Sequence, residues 1–192
     1  MKEVIKRLYA SYSSKYIHLL HTKPIITKAA TSGTLYFLSD SLVQGIEIFS
    51  YKDKEGTERP KYKLDRSLRM AVFGFCVTGP VFHYWYNLLD KWYPKKTSRH
   101  IYIKMLIDQT TCAPIFNAVF FTGMGILEGK NLDQIKEKLK KDWWETYRAD
   151  CMVWPIINFL NFKYISNHHR VNFMNCGNIL WTAFLAKMNF SH

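Results

Sequence analysis

Apolar residues along the chain gather into five stretches separated by polar connectors. The most continuous covers residues 70–86, where His83 is the one side chain titrating near neutral pH. Extended to Leu89, it is long enough to cross a bilayer at a rise of ~1.5 Å per residue. A second stretch covers 101–127. Its later part, 113–127, carries no charge, whereas its earlier part holds Lys104, Asp108 and Gln109. A third runs over 25–49 with Lys28, Asp40, Gln44 and Glu47 inside it. The last two, 151–165 and 171–190, are short, and Arg170 stands between them. No run of 18 consecutive apolar residues occurs. The pattern therefore predicts short, polar-flecked helices rather than uniformly greasy spans.

Three of these stretches carry an internal proline: Pro80, Pro114 and Pro155. A proline inside a helix costs ~3 kcal/mol in water. Membrane helices tolerate it because neighbouring groups re-satisfy the freed carbonyls. Small residues recur four apart, at Ala29 and Gly33, Ser41 and Gly45, and Ala118 and Thr122. Such pairs let helix backbones approach where lipid supplies no hydrophobic drive. Residues 131–148 read as an amphipathic helix, with Leu132, Ile135, Leu139, Trp143 and Tyr147 on one face and lysines on the other. Asn131 is its expected cap and Gln134 the capping-box partner. The fold class is all-α: an integral membrane bundle of four to five short, Pro-kinked helices plus an amphipathic surface helix. A basic N-terminal arm, 1–23, precedes a single bundle domain, 24–190. The arm, basic and hydroxylated, reads either as a segment resembling a mitochondrial presequence or as a short amphipathic helix in which Val4, Leu8 and Tyr12 step by four.

Composition alone does not choose a membrane, since 48% hydrophobic residues suits a globular domain equally well. The 16% aromatic share and net charge of +12 fit an interface with lipid headgroups or with nucleic acid. Basic residues are scattered over connectors and no nucleic-acid-binding motif is present, so no direct nucleic-acid partner is expected. Cys76, Cys112, Cys151 and Cys176 lie in separate apolar stretches without CxxC spacing. They read as reduced, small hydrophobes rather than a metal or disulfide framework. No GxSxG, HExxH or Walker pattern occurs, and His168 and His169 beside Arg170 read as a polar turn. The chain is expected to be no enzyme and to hold no cofactor or metal. Its expected partners are membrane lipid, small solutes, and further copies or a larger membrane complex.

Polar groups inside the apolar stretches are the candidate chemistry. A carboxylate at bilayer depth costs roughly 2.5–3.5 kcal/mol on insertion scales. Asp108, with Gln109, should therefore face a partner or a water-filled path. Lys104, four residues earlier, is the nearest expected partner, with Arg66 and Arg69 as alternatives. The pair reads either as a pore-lining charge or as a buried structural ion pair. His83 reads as a packing or hydrogen-bonding residue. Asn158 and Asn161, three apart on one face, can hydrogen-bond across helices at ~0.6 kcal/mol each.

Several spaced blocks then form a recognisable pattern. Gly79-Pro80, His83, Trp85-Tyr86 and Leu89-Asp90 make the first; Lys104, Asp108-Gln109 and Ala113-Pro114 the second; Trp144, Trp154-Pro155, Asn161-Phe162, Arg170 and Trp181 the third. Pro24, Thr27, Gly33, Asp40 and Gln44 match more loosely. In these blocks the chain resembles the Mpv-seventeen and twenty-two-kilodalton peroxisomal membrane protein family from about Tyr16 to Leu185. It departs where the family's usual Asn-Trp reads Asp150-Cys151, where Gln after Trp-Pro reads Asn158, and where Val-Pro reads Ile165-Ser166. The resemblance implies a small channel of low selectivity in the mitochondrial inner membrane or the peroxisomal membrane. It also implies a link to metabolite and nucleotide balance and to mitochondrial DNA maintenance. The basic N-terminus and the absence of a C-terminal SKL-type address favour the mitochondrion.

Overall fold

A computed structural model describes residues 14–51 and 59–190, with side chains as far as Trp181. The expected N-terminal amphipathic turn at Val4, Leu8 and Tyr12 lies outside the described residues. Helix α1 covers 14–22 and leads into α2, Pro24–Phe49. Pro24 opens α2 where its missing N–H costs nothing. Two long rods follow. The first joins α3 (Leu64–Phe73) to α4 (Gly79–Trp92), and the second joins α5 (Ser98–Ile107) to α6 (Ala113–Leu127). Then come α7, Leu132–Tyr164, and α8, Asn167–Phe190. Among the described residues the fold is all-α.

Both rods are joined by the same device. A single π-helical turn, Gly74–Thr78 in one and Asp108–Cys112 in the other, precedes the proline. The amide just before the proline, Gly79 or Ala113, donates to the carbonyl five residues back, Gly74 or Asp108. A proline ring crowds the carbonyl four residues before it and cannot bond to it. Widening that turn by one residue makes room without ending the helix. Pro155 has no such turn and sits inside α7.

α7 begins with the expected capping box: the Asn131 side chain accepts from Gln134 N at 2.9 Å, and Gln134 returns a 3.0 Å bond to Asn131 N. The amphipathic stretch 131–148 is helical as expected, and it runs without a break into 151–165 as one helix of 33 residues. No glycine or proline separates the two halves. Ile135 is buried, and Trp143 and Tyr147 bond to the Pro114 and Gln109 carbonyls, whereas Leu132 stays exposed at the first turn.

The burial pattern is inverted relative to a protein folded in water. Buried polar and charged residues outnumber buried apolar ones among the described residues. Leu38, Leu42, Leu106, Ile115, Ile126, Met152, Ile156 and Leu180 point outward. A buried polar group is the informative observation, because apolar exposure alone is ordinary. Together they describe a bundle whose solvent is hydrocarbon and whose interior holds the polar groups. Ser98–Leu127 forms a 30-residue helix long and apolar enough to cross a membrane. Only 11% of its most apolar stretch is buried within the protein, so it is not the core helix of a soluble fold.

Close backbone packing holds α2 against the first rod. A Cβ on Gly79 would meet Ala29 Cα at 2.5 Å, one on Gly74 the Ser32 carbonyl oxygen at 2.8 Å, and one on Gly33 the Ala71 carbonyl oxygen at 3.0 Å. The Ala29–Gly33 pair is thus a helix contact. A Cβ on Gly45 meets nothing within 4 Å, so the Ser41–Gly45 pair is not one. On α6 the close approaches fall at Gly123, beside Phe73, and Gly125, beside Ile135. Two apolar clusters complete the packing. Tyr86, Leu89, Ile101, Phe162, Val171 and Met174 form one, and Tyr36, Phe73 and Met124 the other. All four cysteines are free; Cys76, Cys151 and Cys176 face outward, where the expectation was only that they sit among apolar residues.

Candidate functional site: a carboxylate-bearing cavity inside the bundle

The π turn at Asp108–Cys112 rotates Asp108 towards α4 and α7. There it is 5% exposed and lines a cavity of about 350 Å³. Asp150 of α7 lines the same cavity. The two carboxylates have matching partners. Asp108 accepts from Trp85 Nε1 at 2.6 Å and from Asn158 Nδ2 at 2.6 Å. Asp150 accepts from Trp154 Nε1 at 2.9 Å and from Asn117 Nδ2 at 2.6 Å. Each therefore holds one indole and one amide. Asn175 and Asn178 add further amides, and the rest of the wall is mostly apolar, with Phe82, Phe116 and Trp181 among its side chains. Among the described residues, no lysine or arginine lines the cavity. Neutral donors satisfy the carboxylate oxygens without cancelling their charge, and a low-dielectric surround lets that charge act over the cavity.

Lys104 is not the partner of Asp108. Its ammonium bonds to Asp90 Oδ1 at 2.5 Å, on the neighbouring rod. Helical side chains lean towards the N-terminus. A lysine four residues before an aspartate is thus in the poorer of the two orientations for an ion pair. The arginine alternatives are also engaged elsewhere. Arg66 bonds to Asp40 at 2.7 Å and Glu47 at 3.1 Å, and Arg69 bonds to Asp65 at 2.7 Å.

The remaining candidates divide between the cavity and other places. Asn158 reaches across to Asp108 as described. Asn161, fully buried, has neither amide atom bonded among the described residues. Gln109 lies outside the cavity wall. Its Nε2 donates to Cys151 Sγ at 3.3 Å and its carbonyl accepts from Tyr147 at 3.1 Å. His83 sits 3.2 Å from Lys28 Nζ and 3.2 Å from Asn87 Nδ2. Reasoning from sequence missed Asp150, Asn117 and Asn175. Asp150 carried a usable signal, because it lies one turn before Trp154 on the helix face that also bears Trp143 and Tyr147.

Further polar clusters lie away from the cavity. Asp40 accepts from Gln44 and Ser67 at 2.7 Å each as well as from Arg66, tying α2 to α3. At the opposite end, Asp90 Oδ1 accepts from Lys104 and from Arg170 Nη1 at 2.7 Å, and Asp90 Oδ2 from Asn167 Nδ2 at 2.7 Å. Arg170 lies over the Phe162 ring at 5.3 Å and Lys104 at 5.9 Å. Between the clusters, Asn175 donates to Ser32 Oγ at 2.8 Å, joining α8 to α2.

An all-α bundle with outward-facing apolar side chains and a polar, carboxylate-bearing interior is a membrane protein. The family model described as the Mpv17 / PMP22 family matches residues 125–186. The chain is 63% identical to "PXMP2/4 family protein 4" of Dictyostelium discoideum, over 93% of this chain and 94% of that protein. It is 37% identical to "Peroxisomal membrane protein 2" of Bos taurus, over 91% of this chain and 88% of that one. It is 33% identical to "Protein sym-1" of Neurospora crassa, over 92% and 98% respectively. No solved structure matches. The chain belongs to the Mpv17 / PMP22 family.

The blocks that carried the resemblance now have physical roles. Gly79 gives α2 its close approach, and Pro80 and Pro114 follow the π turns. Trp85 and Trp154 are the indole donors, and Trp181 lines the cavity. Phe162 lies under Lys104 and Arg170, and Arg170 holds Asp90.

Proposed function

We infer that the chain is a channel or pore of low selectivity for small solutes in an organelle membrane, with the central cavity as its wide part. The observation that carries this reading is the cavity of about 350 Å³ inside a lipid-facing bundle, where Asp108, Asp150 and four asparagines are set into an otherwise mostly apolar and aromatic wall. A dry membrane bundle has no use for two carboxylates without cations, since each costs several kcal/mol when desolvated. A hydrated path resolves that cost. The volume suits a group of roughly ten waters or a small solute. Asp108 and Asp150 would face the path, and Asn117, Asn158 and Asn175 would line it.

In the cell this reading gives the protein a part in mitochondrial metabolite and nucleotide homeostasis and in mitochondrial DNA maintenance. The family resemblance supports that part. The basic N-terminal arm supports the mitochondrial inner membrane, and the 37% identity to a protein named for the peroxisomal membrane supports the peroxisome. Imaging of the tagged full chain against markers of both organelles separates the two. A second reading, a non-transporting scaffold of a larger complex, is favoured by the exposed Trp144 and the lysine-bearing outer face of α7.

The test is conductance of the purified protein in a planar bilayer, with wild type beside Asp108→Asn. Discrete openings whose size or ion preference changes in the variant are expected. Silence from verified folded protein would transfer the weight to the scaffold. Openings identical in the two would remove Asp108 from the path.

A further inference from the structure

Among the described residues, the end of the bundle built from the start of α2, the end of α4, helix α5 and the start of α8 carries more buried cations than it can neutralise. Lys28 is 1% exposed, Arg170 2% and Lys104 3%. Lys104 and Arg170 share one carboxylate oxygen, Asp90 Oδ1, and Asn167 takes the other. Asp90 is thus already saturated by two cations. Lys28 is left with neutral partners among the described residues: His83 Nδ1 at 3.2 Å and the Asn167 carbonyl at 3.4 Å. Among the described residues, three buried cations face one carboxylate.

Two further observations point to an anion. Arg170 Nε is buried with no hydrogen-bond partner among the described residues, although Arg170 Nη1 is bonded. Helix α8, of 24 residues, also begins here, and its positive dipole end favours negative charge. The entrance is polar. His83 and Asn167 are half-buried, and His21 and His168 are exposed with ring centroids 4.3 Å apart. A buried ammonium without a counter-ion and an unfilled guanidinium N–H are both costly, and a multidentate anion offers an acceptor to each.

We propose that this end of the bundle binds a phosphate-type anion between Lys28, Arg170 and the first turn of α8. The two uncompensated positive charges match a phosphate better than a single carboxylate, and its divergent oxygens suit donors from α2 and α8. The phosphate comes from a soluble ion or from an anionic lipid headgroup. The site lies apart from the cavity and does not depend on conduction.

The experiment uses the full chain purified in phosphate-free detergent. Its thermal unfolding midpoint is measured against inorganic phosphate, and separately against mixed micelles containing phosphatidic acid or phosphatidylcholine. Wild type is compared with Lys28→Met and with the double variant Lys95→Gln/Lys96→Gln, which removes charge from the exposed connector at the same end. A saturable rise with inorganic phosphate assigns a soluble anion. A rise with phosphatidic acid but not with phosphatidylcholine or phosphate assigns a headgroup. In either case Lys28→Met should weaken binding at least about tenfold, the value of one charge-assisted hydrogen bond. The connector variant should bind like wild type. Lys28→Met should fold, because it removes a buried charge that lacks a counter-ion. No saturable shift in either arm, or equal shifts in wild type and Lys28→Met, overturns the proposal. So does a Lys28→Met protein that fails to fold while wild type shows no shift.

Discussion

At the centre of the bundle, Asp108 and Asp150 each accept from an indole and an amide; at the end, Asp90 accepts from a lysine, an arginine and an amide. The same functional group is therefore buried in two chemically different ways. Neutral donors fix a carboxylate in place and leave its charge uncompensated. Cations cancel the charge and turn the carboxylate into a structural clasp between helices. The central pair lines the cavity and Asp90 does not. Charge is kept where a path would use it and cancelled where α4, α5 and α8 must be held together.

The comparison predicts its own largest effect at the clasp. Asp90→Asn leaves Lys104 and Arg170 buried without a counter-charge and should cost about 3–5 kcal/mol. That corresponds to a fall of roughly 10 °C in the unfolding midpoint for a chain of this size. Adding Lys104→Met should recover part of the loss, because it removes one stranded cation. A midpoint unmoved by Asp90→Asn would mean the clasp does not hold the helices.

Next in size is the backbone contact that sets α2 against α4. Gly79→Ala brings a methyl into the Ala29 backbone and should cost about 1–3 kcal/mol, read from the same unfolding curves. The central carboxylates come third. Asp108→Asn and Asp150→Asn each exchange one acceptor oxygen for a donor and should each cost about 1–2 kcal/mol. The two values should be alike, since the donor sets are alike. A loss at Asp150 as large as that at Asp90 would show that the two central sites are not equivalent. Smallest is Gly45→Ala, which touches neither region. In mid-helix with open space around it, it should stabilise by about 0.5–1 kcal/mol.

Much of this architecture was legible beforehand. The apolar stretches mark α2, both rods and α8 within a few residues, because helix periodicity and connector polarity are local properties. Asn131 and Gln134 announced the α7 cap for the same reason. Asp108 stood out because a carboxylate among apolar residues needs a partner wherever the chain folds. What failed was the choice of partner. Lys104 is near Asp108 along the chain, but its side chain leans the other way and finds Asp90, on the other rod. The small-residue pairs divided similarly: spacing alone does not tell Gly33, pressed on Ala71, from Gly45, which faces open space.

The sequence by itself determined that this chain is helical, that its interior must hold charge, and that prolines stand inside three of its apolar stretches. Those are consequences of residue type and of spacing within one turn or two. Only the tertiary structure decided that Asp108 and Asp150 share a cavity, that α7 runs through Pro155 unbroken, and that Asp90 gathers Lys104 and Arg170. Each of these last depends on which helix faces which. In a lipid-facing bundle that choice is set by close packing and by pairing of buried polar groups, both made between residues far apart in the chain.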